Sequence, residues 1–177
     1  MRRRNFITLL GSALWPFGVR AQQQPTMPEA TSKQPPPLTG SMSMPENGLM
    51  SVQSQFTTRE TTDKLLAALA QRKLTVFARV DHAAGAASVG LPLRPTELVI
   101  FGNPKGGTAL MQDQQTSGID LPLKALVWVD SADKTWLTYN DPNWIAQRHA
   151  LGAGSAAAVK AMAALLTEIA KEATSNS

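Results

Sequence analysis

Apolar and polar positions change period several times along this chain, and each change marks an element. Over residues 58–72, Leu65, Leu66 and Leu69 recur at helical spacing with Thr62 and Ala68 on the same side, which predicts an amphipathic helix. Thr57 followed three residues on by Glu60 is a capping-box pattern that marks its start. Residues 74–80 (LTVFARV) then alternate with β-branched and aromatic side chains and predict a strand. Residues 96–101 (TELVIF), 123–129 and 134–139 read the same way, the last two joined by the turn formers Asp130-Ser131-Ala132-Asp133. A looser alternation over 49–55 supplies a strand ahead of the first helix. Towards the end, Val159, Met162, Leu165, Leu166 and Ile169 form an apolar stripe on an alanine-rich helix over 156–173. Ser155 is expected to cap it, and Gly152 and Gly154 to end the short helix opened by Asp141-Pro142-Asn143. Five strands and two principal helices result, with the helical stripes packed on the sheet.

Between the third and fourth strands the period breaks down. The run 99–124, VIFGNPKGGTALMQDQQTSGIDLPLK, is punctuated by Gly and Pro and reads as strand, turn, short helix, turn, strand. Functional groups tend to sit on such connections, held by a rigid frame. Pro104 suits the first position of a helix. Gly106-Gly107-Thr108 has two readings: bare backbone amides close to a ligand, or a helix start packed tightly on the sheet. The spacing is neither that of a Walker loop nor of a dinucleotide fingerprint. Lys105 is the charged group best placed to meet an anion there. At the end of the second strand, Asp81 and His82 precede a small-residue run. Either the carboxylate orients an imidazole, or Asp81 caps the following turn and His82 lies at the surface.

Charge changes the picture only after the N-terminus is read. Arg2, Arg3 and Arg4, an apolar run over 7–19 and small residues up to Ala21 describe an export signal peptide of the twin-arginine type, residues 1–21. The apolar run is shorter than the roughly 20 residues a membrane span needs. The 17 basic residues exceed the 13 acidic ones, but four arginines belong to the signal, so the expected mature chain is neutral. No basic face then remains to neutralise phosphates, which argues against nucleic acid as a partner. The expected location is the periplasm, with no membrane span after cleavage. Cysteine is absent, which removes disulfides, thiolate metal sites and a cysteine nucleophile. Residues 22–47 are rich in Pro, Gln and Ser and read as a disordered linker ahead of a domain over 48–174. Met27, Met42, Met44 and Met50 read as scattered methionines rather than a copper site, since no His or Cys accompanies them.

The runs GLMSVQSQFTTRETTDKLL, VDHAAGAASVGLPLRPTELVIFGNPKGGTALM, GIDLPLKALVW and YNDPNWIAQRHAL resemble a bacterial domain-of-unknown-function family, number 302, over about residues 48–172. The succession DH, FGNPK, DLPLK, RH carries the resemblance. It implies an α+β fold of the TATA-binding-protein-like type: β-α-β(4)-α, a curved antiparallel sheet gripped by a long C-terminal helix. It implies no activity and no cofactor. One departure is Lys73, where the family usually has a glycine ending the first helix.

Asp81, His82, Asn103, Lys105, Asp120, Lys124 and His149 fall on the family's motif positions and near expected strand ends. This mixed set suits a small polar or anionic ligand in a pocket near FGNPK and DLPLK, or a metal held by His82, His149 and a carboxylate if those segments meet. The binding reading is favoured because no nucleophile elbow and no zinc-protease motif is present. The alternatives are a cofactor-free acid–base enzyme using Asp81 and His82, or a structural, partner-docking protein. A homodimer contact through the last helix is also open.

Overall fold

The computed structural model describes residues 47–176. The expected signal peptide, and the expected linker apart from its last residue, lie outside the described residues. The elements run in the order β1 (Leu49–Gln53), α1 (Thr58–Gln71), β2 (Thr75–Asp81), α2 (His82–Ser88), β3 (Thr96–Gly102), α3 (Pro104–Asp113), a 3-10 turn (Gln115–Ile119), β4 (Leu123–Val129), β5 (Thr135–Asn140), α4 (Pro142–Arg148) and α5 (Ala153–Thr174). The five strands form one antiparallel sheet in the order β1-β5-β4-β3-β2. This is the expected β-α-β(4)-α fold, with short helices in the connections.

Strand alternation sorts the side chains onto two faces. Val99 and Phe101, Ala125 and Val127, and Leu137 and Tyr139 line one face and are buried. Leu65 and Leu69 of α1 and Leu166 and Ile169 of α5 close over them. Each large side chain so buried contributes roughly 1.5–3 kcal/mol. Ala68, Ala170 and Ala173 belong to the same cluster, where their small side chains let helix backbones approach closely. Arg72 ties the end of α1 to α5 through a bidentate ion pair with Glu172, whose carboxyl is held below its usual range by that bond. By length and composition α5 is apolar enough to cross a membrane, but its Leu166, Ile169 and Ala173 stripe lies in this core.

The capping box at Thr57 forms as read: the Thr57 side chain accepts from the Glu60 amide at 3.3 Å, and the Glu60 carboxylate accepts from the Thr57 amide at 3.0 Å. At the other end of α1, Lys73 has φ +53, and its amide and that of Leu74 donate back to Ala70 and Leu69. A lysine therefore occupies the left-handed position that closes a Schellman cap. Lys73→Gly is expected to raise the unfolding free energy by about 1 kcal/mol, read as a higher urea midpoint at unchanged slope. An unchanged or lower midpoint would show that the position carries no strain.

α5 departs from the expectation. It begins at Ala153, with Gly152 rather than Ser155 at its cap position. The Asp113 carboxylate, at the end of α3, accepts from the Gly152 amide at 2.7 Å and the Ser155 hydroxyl at 2.6 Å. Those bonds hold the Asp113 carboxyl below its usual range. The helix start is thus satisfied by a side chain remote in sequence, so local cap residues misplace it by a turn.

Candidate functional site

The FGNPK and DLPLK segments meet. β3 ends at Gly102, Asn103 caps α3 by accepting from the Lys105 amide at 2.9 Å, and Pro104 holds the first helical position. β4 begins at Leu123 beside Phe101 of β3, which brings Leu121 and Pro122 next to Gly102; the Leu121–Pro122 peptide is cis. A β-bulge between Val76 and Ala78 falls at Phe77, which lines the same space. The resulting cleft of about 300 Å³ is walled chiefly by Phe77, Met111, Leu121 and Met162, with Asn103 and Thr108 as its polar groups. Gly107 lines it too: a Cβ there would lie 3.6 Å from Leu121 Cδ1, so the bare backbone leaves the space open.

A second cleft, of about 480 Å³, adjoins it. The two share Gly102, Asn103, Leu123 and Met162. Lys105 and Arg72 line the second cleft. Arg72 is engaged by Glu172 and Glu168. Lys105 has no ion-pair partner among the described residues. The combined groove is apolar along its length, with a lysine at one side. Such concave, largely apolar spaces with few polar groups are the usual setting for a small ligand.

Asp120, Lys124 and His149 form a different constellation. Asp120 is 9% exposed. Its carboxylate accepts from His149 Nε2 at 2.6 Å and from Arg148 at 3.2 Å, and its carbonyl accepts from Lys124 Nζ at 3.0 Å. Because a carboxylate only accepts, Nε2 of His149 carries the proton, and Nδ1 faces the Thr116 hydroxyl at 3.5 Å. These groups tie the turn before β4 to the end of α4. None of them lines the groove.

Asp81 and His82 lie elsewhere. Asp81 pairs with Glu97, four residues along β3 from Phe101, so this pair sits roughly 13 Å along the strands from the DLPLK end. Asp81 caps α2, its carboxylate accepting from the Ala84 amide at 2.8 Å, and His82 is exposed with no side-chain hydrogen bond to Asp81. The carboxylate is thus committed to a backbone amide rather than to the imidazole. The metal set of His82, His149 and a carboxylate does not form: His82 follows Asp81 at the Glu97 end of the sheet, while His149 bonds Asp120 near the Leu123 end. No group of three or more His, Asp or Glu among the described residues is placed to hold a metal. The aspartate–histidine pair that does exist, Asp120 with His149, spans 29 positions and has no local signal in the sequence. The groove walls Phe77, Met111, Leu121 and Met162 carry no site signal in the sequence either: each reads as an ordinary apolar position until the bulge in β2 and the crossing of α3 over α5 bring them together.

Three comparisons bear on identity. A fluoride-specific ion channel FluC 1 of Brucella suis biovar 1 (strain 1330) is 53% identical over 117 residues, covering 66% of this chain and 46% of that protein. A FluC 1 of Brucella abortus biovar 1 (strain 9-941) is equally similar, with 43% of its length covered. This chain therefore spans less than half the length of these curated relatives. A crystal structure of an uncharacterized conserved protein from Bacillus stearothermophilus, itself described as DUF302, superposes with a TM-score of 0.63 at 17% identity, covering 70% of this chain and 95% of that one. At that identity the likeness is one of fold. The family model described as Domain of unknown function DUF302 matches residues 50–169, and this chain belongs to that family.

Proposed function

We propose that this domain is a small-molecule-binding module whose ligand has an apolar body and one acidic end. The observation that carries the reading is the groove at the FGNPK–DLPLK junction: Phe77, Met111, Leu121 and Met162 suit an apolar body, and Lys105 alongside suits an anionic terminus. The anionic character expected from Lys105 is retained, while the apolar walls replace the polar body expected from the sequence. Asn103 and Thr108 orient rather than attract, since the rest of the lining offers few polar atoms.

Relatives named as fluoride channels extend well beyond the shared segment. The shared segment has a sheet-and-helix core, so in our reading it is the ligand-binding accessory part and does not by itself handle fluoride.

Octanoate is a suitable probe, with octanol as its neutral counterpart. In calorimetric titration of the full chain, octanoate binds more tightly than octanol. Gly107→Leu, which places a side chain in the cleft, weakens octanoate at least about tenfold. Lys105→Ala weakens octanoate about 2–5-fold and leaves octanol unaffected. Fluoride salts leave the melting temperature where chloride does. Equal octanoate binding by wild type and Gly107→Leu, or none at millimolar concentration, would sink the reading.

A further inference from the structure

A second cleft lies at the other end of the sheet, near the β2–α2 junction, and its chemistry is opposite to that of the groove. It encloses about 300 Å³ between the first half of α1 and the Glu97 end of β2 and β3. Arg59 and Arg79 line it together with Asp63, Asp81 and Glu97, and Val127 and Thr62 also contribute. Arg59, Thr62 and Asp63 reach it together because positions three and four apart share one face of a helix.

Thr62 is the informative residue. It is 2% exposed, and its hydroxyl has no hydrogen-bond partner among the described residues. Its neighbour Thr61 returns its hydroxyl to the Thr57 carbonyl at 2.8 Å, as buried helical threonines commonly do. Thr62 makes no such bond, and it lines the polar cleft. Burying an unpaired hydroxyl is destabilising. Ser117 shares that condition but lines none of the three clefts, whereas Thr62 belongs to the wall of this one, where an entering group would supply its partner.

The charged groups have spare capacity of both signs. Arg79 donates Nε to Glu97 at 2.6 Å, one of its five N–H donors. Asp81 uses Oδ1 for the Ala84 amide, and Asp63 has no ion-pair partner among the described residues. A simple anion would face three carboxylates, and a simple cation would face two guanidinium groups. A molecule bearing both charges meets both sets.

We propose that this cleft is a second ligand site, for a small zwitterion of the amino-acid class. Its carboxylate pairs with Arg79 and Arg59, its ammonium with Asp63 and Asp81, and the Thr62 hydroxyl completes the set. The site is independent of the apolar groove.

The test is calorimetric titration of the full chain with the proteinogenic L-amino acids, with propionate and ethylamine as the two single-charge halves. At least one amino acid binds below millimolar concentration, and neither half does. Thr62→Val, which keeps the shape and removes the hydroxyl, weakens that ligand about tenfold. Asp63→Asn, at an exposed position with little bearing on folding, weakens it as well, and carries the test if Thr62→Val does not fold. Gly107→Leu leaves the affinity unchanged. The proposal is overturned if no amino acid binds at millimolar concentration, if either half binds as tightly, or if Thr62→Val and Asp63→Asn both bind like wild type. Loss of binding in Gly107→Leu would also overturn it, by assigning the ligand to the groove.

Discussion

Asp120→Ala is expected to lower the unfolding free energy by about 2–4 kcal/mol, among the largest effects of any polar substitution in the domain. The carboxylate is nearly buried and accepts from His149 and Arg148 at once. Removing it leaves the His149 Nε2–H, on a side chain only 9% exposed, without a partner. Arg148 is about half exposed and regains water, so its share is at most about 1 kcal/mol. Most of the loss therefore belongs to the imidazole contact. Asp120→Asn keeps the shape and one acceptor, and should lose about half as much. Urea midpoints at neutral pH check both, with an unchanged slope required. A loss under about 0.5 kcal/mol for Asp120→Ala would show that the network is ornamental to stability. Octanoate affinity of the surviving folded variant should match wild type, because these residues do not line the groove.

Gly48→Ala carries the second large effect, also about 2–4 kcal/mol. Gly48 is buried with φ +69, and a Cβ there would stand 2.2 Å from Cδ2 of the Trp144 indole. Both penalties act together: a left-handed backbone that an L side chain disfavours, and a ring that must move. The ring is restrained, since the Arg148 guanidinium lies 5.4 Å from its centroid and α4 is anchored by the Asp141 amide donating to the Gly48 carbonyl at 2.8 Å. The urea midpoint should fall, and tryptophan emission should shift as Trp144 is displaced. Gly154→Ala is the control, with nothing within 4 Å of its added carbon, and should be neutral or slightly stabilising. If both variants behave alike, the contact with Trp144 carries no energy.

Local pattern sufficed wherever the cause was local. The capping box at Thr57 and Glu60, the alternation that gives β4 its observed bounds Leu123–Val129, and the amphipathic stripe of α1 each depend on residues a few positions apart. Strand ends elsewhere moved by one or two residues: β2 starts at Thr75 and β1 stops at Gln53, where pairing across the sheet rather than propensity sets the limit. The start of α5 lies a turn ahead of where local cap residues put it for the same kind of reason, since the carboxylate that satisfies it is that of Asp113, 42 positions before Ser155.

The candidate site divides along the same line. The expectation of a pocket near FGNPK and DLPLK rested on the family's motif positions and on residues near expected strand ends; a cleft lined by Gly102, Asn103, Leu121 and Pro122 lies where the two segments meet. The Asn103 cap of α3 is local, made to an amide two residues on, whereas that Phe77 and Met162 form walls did not follow, because walls depend on which elements cross. Asp81 and His82, adjacent in sequence, make no hydrogen bond to each other, whereas Asp120 and His149, far apart, do.

By itself, then, the sequence determined the family resemblance, the order of strands and helices, the helix signals written within one turn, and the absence of thiol chemistry. The resemblance rests on the motifs DH, FGNPK, DLPLK and RH and the rest on periodicity and composition, none of which needs knowledge of what lies across the core. The tertiary structure alone decided which charged groups meet, which apolar side chains stay uncovered as a groove, and which hydroxyls, those of Thr62 and Ser117, are buried without a partner. Those outcomes depend on distances between residues tens of positions apart, set by sheet register and helix packing, and no local pattern encodes a distance.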